Sequence, residues 1–201
     1  MQVRSSDLPA FDIRPSSSWR TLDLRELWTY RELIYFLTWR DIKVRYKQTA
    51  IGVAWALLQP LAMIVVFGLF FGKLAGVSSL EVPYPVFVLG GLIPWQLFSR
   101  AITESTNSLV TDQRLITRVY FPRIIVPISS VLAALVDFLI SCLLLLFLMI
   151  AYRVPLQPGI LVIPVFAIVM VVAALGVGFW LSALNVEYRD VMYTVPFLNQ
   201  F

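Results

Sequence analysis

The residues able to do acid–base or metal chemistry are few in this chain. There is no His, and the lone cysteine, Cys142, is set in an apolar run. Losing His removes the commonest general base and metal ligand. Zinc hydrolysis and Ser-His-Asp chemistry are therefore excluded within the chain, and one Cys builds neither a disulfide nor a thiolate metal site. What remains is a small set of carboxylates. Glu104, Asp112, Glu187 and Asp190 stand near the ends of apolar stretches, without the Asp-rich pattern that gathers a divalent cation. Glu187-Tyr188-Arg189-Asp190 reads as a charge cluster that stops a helix. Asp137 is the one acid deep in an apolar segment, where such a group faces a bundle interior or an aqueous path. With no second carboxylate or basic group near it in sequence, a Ser or Thr hydroxyl is its expected partner, and a proton relay is disfavoured.

Gly68-Leu69-Phe70-Phe71-Gly72-Lys73 has the look of a phosphate-binding loop, but it is one residue short and Leu74 stands where Ser or Thr is required. The chain therefore carries no nucleotide site of its own. Gly68, Gly72 and Gly76 repeat every four residues, a spacing that lets helices approach closely in lipid.

The elements that must carry these residues are membrane helices. Apolar residues make up 59% of the 201 and charged ones only 14%, against about a quarter charged in a soluble domain. The charges are gathered in blocks, leaving long stretches with none. About 20 apolar residues cross a bilayer, and four segments qualify: about 50–73 despite Pro60, 84–110 with Gly90, Gly91 and Pro94 inside, 124–152 around Asp137, and 158–184. Pro155 and Pro158 mark the turn between the last two. The fold class is thus an all-α integral membrane protein, with residues 1–49 as a cytosolic N-terminal segment and 50–201 as the transmembrane domain. The polar stretch Ser5 to Ser18 lacks the apolar core of a signal peptide.

Before the first span, helical spacing over about 23–47 gathers Leu24, Trp28, Tyr35, Trp39, Ile42 and Tyr46 into one stripe, and Arg40, Lys43, Arg45 and Lys47 make the segment basic. Such a helix lies in the membrane interface. Arg40, Lys43, Arg45 and Lys47, and then Arg114, Arg118 and Arg123 between the second and third spans, mark the cytosolic side, whereas the other two connections carry only Lys73 and Arg153. The N-terminus is expected in the cytosol, and the net charge of +4 reads as a topology signal rather than as affinity for nucleic acid.

The loop 103–123 ends in Leu115, Ile116, Val119, Tyr120, Phe121 and Pro122, more apolar than a cytosolic loop needs to be. We read it as a partner surface, with Asp112 capping a short helix, Leu115, Ile116 and Val119 as its anchor, and Arg114 and Arg118 flanking it.

Arg40-Asp41-Ile42-Lys43-Val44-Arg45-Tyr46-Lys47-Gln48-Thr49, Gly52, Trp55 and Leu58-Gln59-Pro60 closely resemble the permeases of ABC-2 type polysaccharide exporters. Val119-Tyr120-Phe121-Pro122-Arg123 and Leu184-Asn185-Val186-Glu187-Tyr188-Arg189-Asp190-Val191 match the same family. The resemblance implies a homodimer in the bacterial inner membrane, joined by two cytosolic ATPase subunits that hold ATP and Mg, and moving a lipid-linked polysaccharide such as O-antigen. It implies no cofactor in this chain, and beside an ATPase partner we read Leu109 to Arg123 as the coupling helix that docks on it, with Asp112, Arg114, Leu115, Ile116, Arg118, Val119, Tyr120, Phe121, Pro122 and Arg123 as the coupling residues. Aromatic residues line the family's channel, where sugar rings stack; Trp55, Phe67, Phe71, Trp95 and Phe98 are the candidates here. Family members carry six spanning helices, so a chain with four that stops at Phe201, where a fifth would begin, is expected to be truncated or incompletely covered. Other cargoes of the same transporter class, such as teichoic acid, capsule or a drug, stay open. A membrane-embedded sugar or phosphoryl transferase is the competing class and would need clustered carboxylates or bases that are missing.

Overall fold

The structure, a computed structural model, describes residues 24–47, 54–74, 82–155 and 157–199. No strand occurs among them. Eight α-helices follow in order: α1 (Leu24–Thr29), α2 (Arg31–Lys47), α3 (Ala54–Phe67), α4 (Tyr84–Thr111), α5 (Gln113–Arg118), α6 (Ile125–Ala151), α7 (Ile163–Glu187) and α8 (Val191–Leu198). Four stretches are long and apolar enough to span a membrane: Ala54–Phe71, Tyr84–Thr111, Ile125–Ala151 and Pro158–Glu187.

The expected interface helix is in two pieces, broken at Tyr30. The expected phosphate-loop look-alike is helical: α3 loosens into wider π-type turns over Gly68–Leu74. Gly90, Gly91 and Pro94 do not break α4, which runs unbroken for 28 residues. Gly90 and Gly91 have open space where a Cβ would sit, and a bundle can re-satisfy the backbone groups that Pro frees. At the far end of α6 the chain reverses through Arg153, which holds a positive φ of 56°. The Arg153 N–H donates to the Ile150 carbonyl and the Val154 N–H to the Met149 carbonyl, a Schellman turn that closes the helix immediately before Pro155.

Helix α4 is the centre of the molecule, with α6 and α7 packed on it, α2 lying against α6, and α8 returning to α4. The close approach in lipid comes from a glycine other than those the four-residue repeat suggested. A Cβ on Gly68 would meet the Tyr84 ring at 3.9 Å, an ordinary contact, and Gly76 lies outside the described residues. By contrast a Cβ on Gly178 would stand 2.4 Å from Ser105 Oγ and 2.7 Å from Ser105 Cβ. Small and polar residues of α7, namely Ala174, Gly178, Ser182 and Asn185, are buried, as are Ala101, Ser105 and Thr106 of α4. Such pairing of small surfaces lets dispersion and hydrogen bonds act where lipid supplies no hydrophobic driving force. Most buried hydroxyls bond a carbonyl one turn back, as Thr106 does to Ile102 and Ser141 to Asp137, so they cost little in an apolar setting.

Three apolar clusters fill the interior. One joins Leu89, Ile93 and Leu97 of α4 to Phe138 and Ala167. A second joins Ala101 and Ile102 to Val131, Ala134, Ala174 and Val195. The third fixes α2, with its Leu37 buried among Phe121, Ile125 and Val126. The outer faces of α3 and α7 stay apolar and exposed, as Val65, Phe166, Val172 and Trp180 show, which suits a surrounding of lipid.

Candidate functional site

The chemistry of the molecule is concentrated where α2, α3, α4 and α6 meet. Asp137 of α6 accepts hydrogen bonds from the guanidiniums of Arg45 and Arg100, both at Oδ2, and from the Tyr46 hydroxyl at Oδ1. Its expected Ser or Thr partner is thus replaced by two arginines and a phenol. The nearby Ser141 hydroxyl bonds the Asp137 backbone carbonyl instead. Arg45 reaches Glu104 at 2.5 Å with its other nitrogen, and Arg100 reaches the Gln59 side-chain oxygen of α3 at 3.1 Å. Two guanidiniums and two carboxylates leave the network formally neutral, the condition under which charge survives in a low-dielectric interior. The forked guanidinium suits it, because each arginine bonds two different helices at once.

A second pair anchors α2 nearer the bundle end: Arg40 contacts its neighbour Asp41 at 2.8 Å and Asp112 at 2.6 Å. Asp112 sits at the N-cap of α5, but its side chain makes no capping bond, since the carboxylate is taken by Arg40. Burial would lower the Arg45 pKa, yet Glu104 and Asp137 outweigh it and hold the guanidinium above its ordinary value. Burial raises the Tyr46 phenol far above its ordinary range, and its bond to Asp137 adds to this, so it stays a donor. Burial also raises Asp41, against the pull of Arg40.

The other expected interface residues separate by face. Trp28 and Tyr35 are 72% and 70% exposed, and Trp39 is exposed with them, opposite buried Leu37. Lys43 lies over the Trp39 ring at 5.4 Å, and Lys47 is exposed. Arg40, Arg45 and Tyr46, by contrast, turn into the bundle and are not part of a solvated basic face.

Of the expected channel aromatics, Phe67 and Trp95 line a groove of about 510 Å³ beside Gln59, Gln96, Arg100, Glu104 and Asn199. Phe71 stacks on Phe67 with centroids 5.5 Å apart and borders a separate apolar groove. Trp55 is exposed, and Phe98 packs inward against the Ala101 cluster. A groove with amides, a guanidinium and a carboxylate on spanning helices cannot face lipid without unmet polar groups, so water, a ligand or protein covers it. Of the polar residues of this groove, Glu104 was named in the sequence as a carboxylate near a span end and Gln59 as part of a family motif, whereas Gln96, Arg100 and Asn199 carried no assigned role, because nothing along one helix marks which face lines a groove.

In the expected coupling segment, Leu115, Ile116 and Phe121 pack against Leu37, Ile125 and Val126, and Pro122 is half-buried. Arg114, Arg118, Val119, Tyr120 and Arg123 are exposed, Tyr120 at 90%. The free surface is therefore Val119 and Tyr120 between arginines, with Leu115 and Ile116 turned toward α2.

Residues 32–201 match the family described as ABC-2 type transporter, and the chain belongs to that family. It is 33% identical over 162 residues to the O-antigen export system permease protein RfbA of Klebsiella pneumoniae, covering 80% of this chain and 61% of that protein. It is 31% identical over 173 residues to the protein of the same name in Myxococcus xanthus, covering 86% and 65%. The polysialic acid transport protein KpsM of Escherichia coli is 32% identical over 102 residues, covering 50% of this chain and 38% of KpsM. The chain thus spans under two thirds of the length of the curated relatives it matches.

Proposed function

We propose that the chain is the membrane-spanning part of an exporter permease in the bacterial inner membrane, moving a lipid-linked polysaccharide under the power of separate ATPase subunits. Two copies would close a channel between them. The observation that carries this reading is the groove between α3 and α4, where Phe67 and Trp95 stand beside Gln59, Gln96, Arg100 and Glu104. Aromatic faces stack on the apolar faces of sugar rings while amides and charged groups bond the hydroxyls. The similarity to permeases named for O-antigen export and polysialic acid transport points the same way. No catalysis is assigned to the chain: Asp137 and Glu104 are each neutralised by arginine and stand as structural charges rather than as a free acid and base.

Deleting the gene in its host tests the reading. Surface polysaccharide should be lost and lipid-linked polymer should accumulate inside, with recovery on complementation by the full reading frame. Unchanged surface polymer would refute export of polysaccharide. The ATPase contact is read on the exposed residues: Tyr120→Asp with Arg118→Glu should cut copurification of the ATPase by at least tenfold, because losing one buried aromatic anchor is worth about 1.5–3 kcal/mol. Undiminished copurification would move the contact elsewhere.

A further inference from the structure

The two sequence-distant motifs Val119–Arg123 and Leu184–Val191 meet at one cleft, and neither the polar network nor the groove above uses it. It holds about 230 Å³ and is lined by Leu109, Val110 and Ile116, by Gln113 and Thr117, by Asn185 and Val186, and by Arg123 and Arg189. Each motif therefore contributes one arginine. Both arginines are exposed, and among the described residues neither has an ion-pair partner, in contrast to Arg40, Arg45 and Arg100, which carboxylates hold, and in common with exposed Arg114, Arg118 and Arg153, none of which lines this cleft. Asn185 is fixed at the cleft wall, its amide donating to the Thr106 carbonyl at 3.0 Å and to Asn107 at 3.3 Å. The cleft opens where α4 and α7 leave the membrane-spanning length, next to exposed Val186.

Unpaired guanidiniums over an apolar floor, at the level where spanning helices end, have the complementarity of a phosphate whose other end is apolar. Arginine binds phosphate oxygens in a bidentate fork, and basic clefts between membrane helices suit anionic headgroups. We infer that this cleft binds the phosphate of an anionic phospholipid, with Arg123 and Arg189 on the phosphate, Gln113 and Thr117 near the headgroup, and Ile116 and Val186 against the glycerol and upper acyl chain. The site rests on membrane embedding, not on what the protein exports, so it survives if polysaccharide export is refuted.

The test uses the full chain, purified in detergent, with native mass spectrometry to read bound lipid during titration with phosphatidylglycerol or phosphatidylcholine of the same acyl chains. Phosphatidylglycerol should be retained at least tenfold more tightly. Arg123→Gln and Arg189→Gln should each weaken it about fivefold, the scale of one basic residue at an anionic surface, while Arg153→Gln at the opposite end should leave it unchanged. Both substituted positions are exposed, and gel-filtration profiles matching the parent establish that the variants fold. Excess inorganic phosphate should not strip the lipid, because the apolar floor holds the rest of it. Equal retention of the two lipids, retention unchanged in both variants, or loss to phosphate alone overturns the site. So does the finding that both variants lose an ATPase partner while keeping phosphatidylglycerol, which would make the cleft a protein contact.

Discussion

At the scale of single residues, Asp137 of α6 holds the network together, because its carboxylate is bonded from both α2 and α4: Arg45, Tyr46 and Arg100 all converge on it. Asp137→Asn removes the charge and leaves two guanidiniums short of an anion. Stranding a buried charge costs about 3–5 kcal/mol. The side chains of Arg45 and Arg100 are 27% and 33% exposed, so solvent relieves part of that, and a loss of about 1–3 kcal/mol is expected. Asp41→Asn, which leaves Arg40 its bond to Asp112, should cost under about 1 kcal/mol. Thermal unfolding of the purified variants checks the ranking, and an Asp137→Asn protein as stable as Asp41→Asn would deny Asp137 this role. The sequence marked Asp137 as exceptional but not its partners. Arg45 and Arg100 lie 92 and 37 positions away; Arg45 stood in the sequence as an interface charge, and Arg100 lay within the 84–110 span with no role assigned. Pairing across helices is a property of packing, and periodicity along one helix does not contain it.

At the scale of elements, the four spans were legible because apolar length is dictated by bilayer thickness and survives any detail of packing. The face each helix turns inward was less legible. Of the aromatic stripe, Trp28, Tyr35 and Trp39 point away from the bundle while Tyr46 turns into it and plain Leu37 makes the apolar contact, so the amphipathic pattern alone did not mark the inward face. On α7 the apolar character is nearly uniform around the helix, and the inward stripe is marked by small size, at Ala174, Gly178 and Ser182, rather than by hydrophobicity. The α4–α7 contact depends on this. Gly178→Ala would drive a methyl against both Oγ and Cβ of Ser105, and overpacking of this kind costs about 1–3 kcal/mol. Ser105→Gly should restore most of the loss, whereas Ser105→Ala should not, since the clashing Cβ remains. Unfolding measurements on the three singles and two doubles decide it; rescue by Ser105→Ala as complete as by Ser105→Gly would show that the hydroxyl alone, and not the helix separation, was responsible.

At the scale of the whole molecule, the distribution of charge divides the two ends of the bundle. One end carries Arg114, Arg118, Arg123 and Arg189 exposed, together with the basic residues Lys43 and Lys47 of α2. The other carries Arg153 at the turn between α6 and α7, followed by Gln157 and the apolar Pro158–Val162 turn, and Lys73 at the end of the first span. Loops rich in Lys and Arg remain in the cytosol during insertion, so α5 and the end of α7 should be cytosolic and the α6–α7 turn external. The same orientation would set the aromatic face of α1 and α2, with Trp28, Tyr35 and Trp39, in the cytosolic interface, where amphipathic rings are favoured. Thr117 and Gln157 are both exposed and lie at opposite ends, which makes them suitable reporters. In a background where Cys142 is replaced by Ala, Gln157→Cys should react with a membrane-impermeant maleimide in spheroplasts, and Thr117→Cys should react only after the membrane is permeabilised. Labelling of Thr117→Cys from outside, with Gln157→Cys protected, would invert the molecule, and the basic end could then serve neither an ATPase in the cytosol nor the anionic lipid of the inner leaflet.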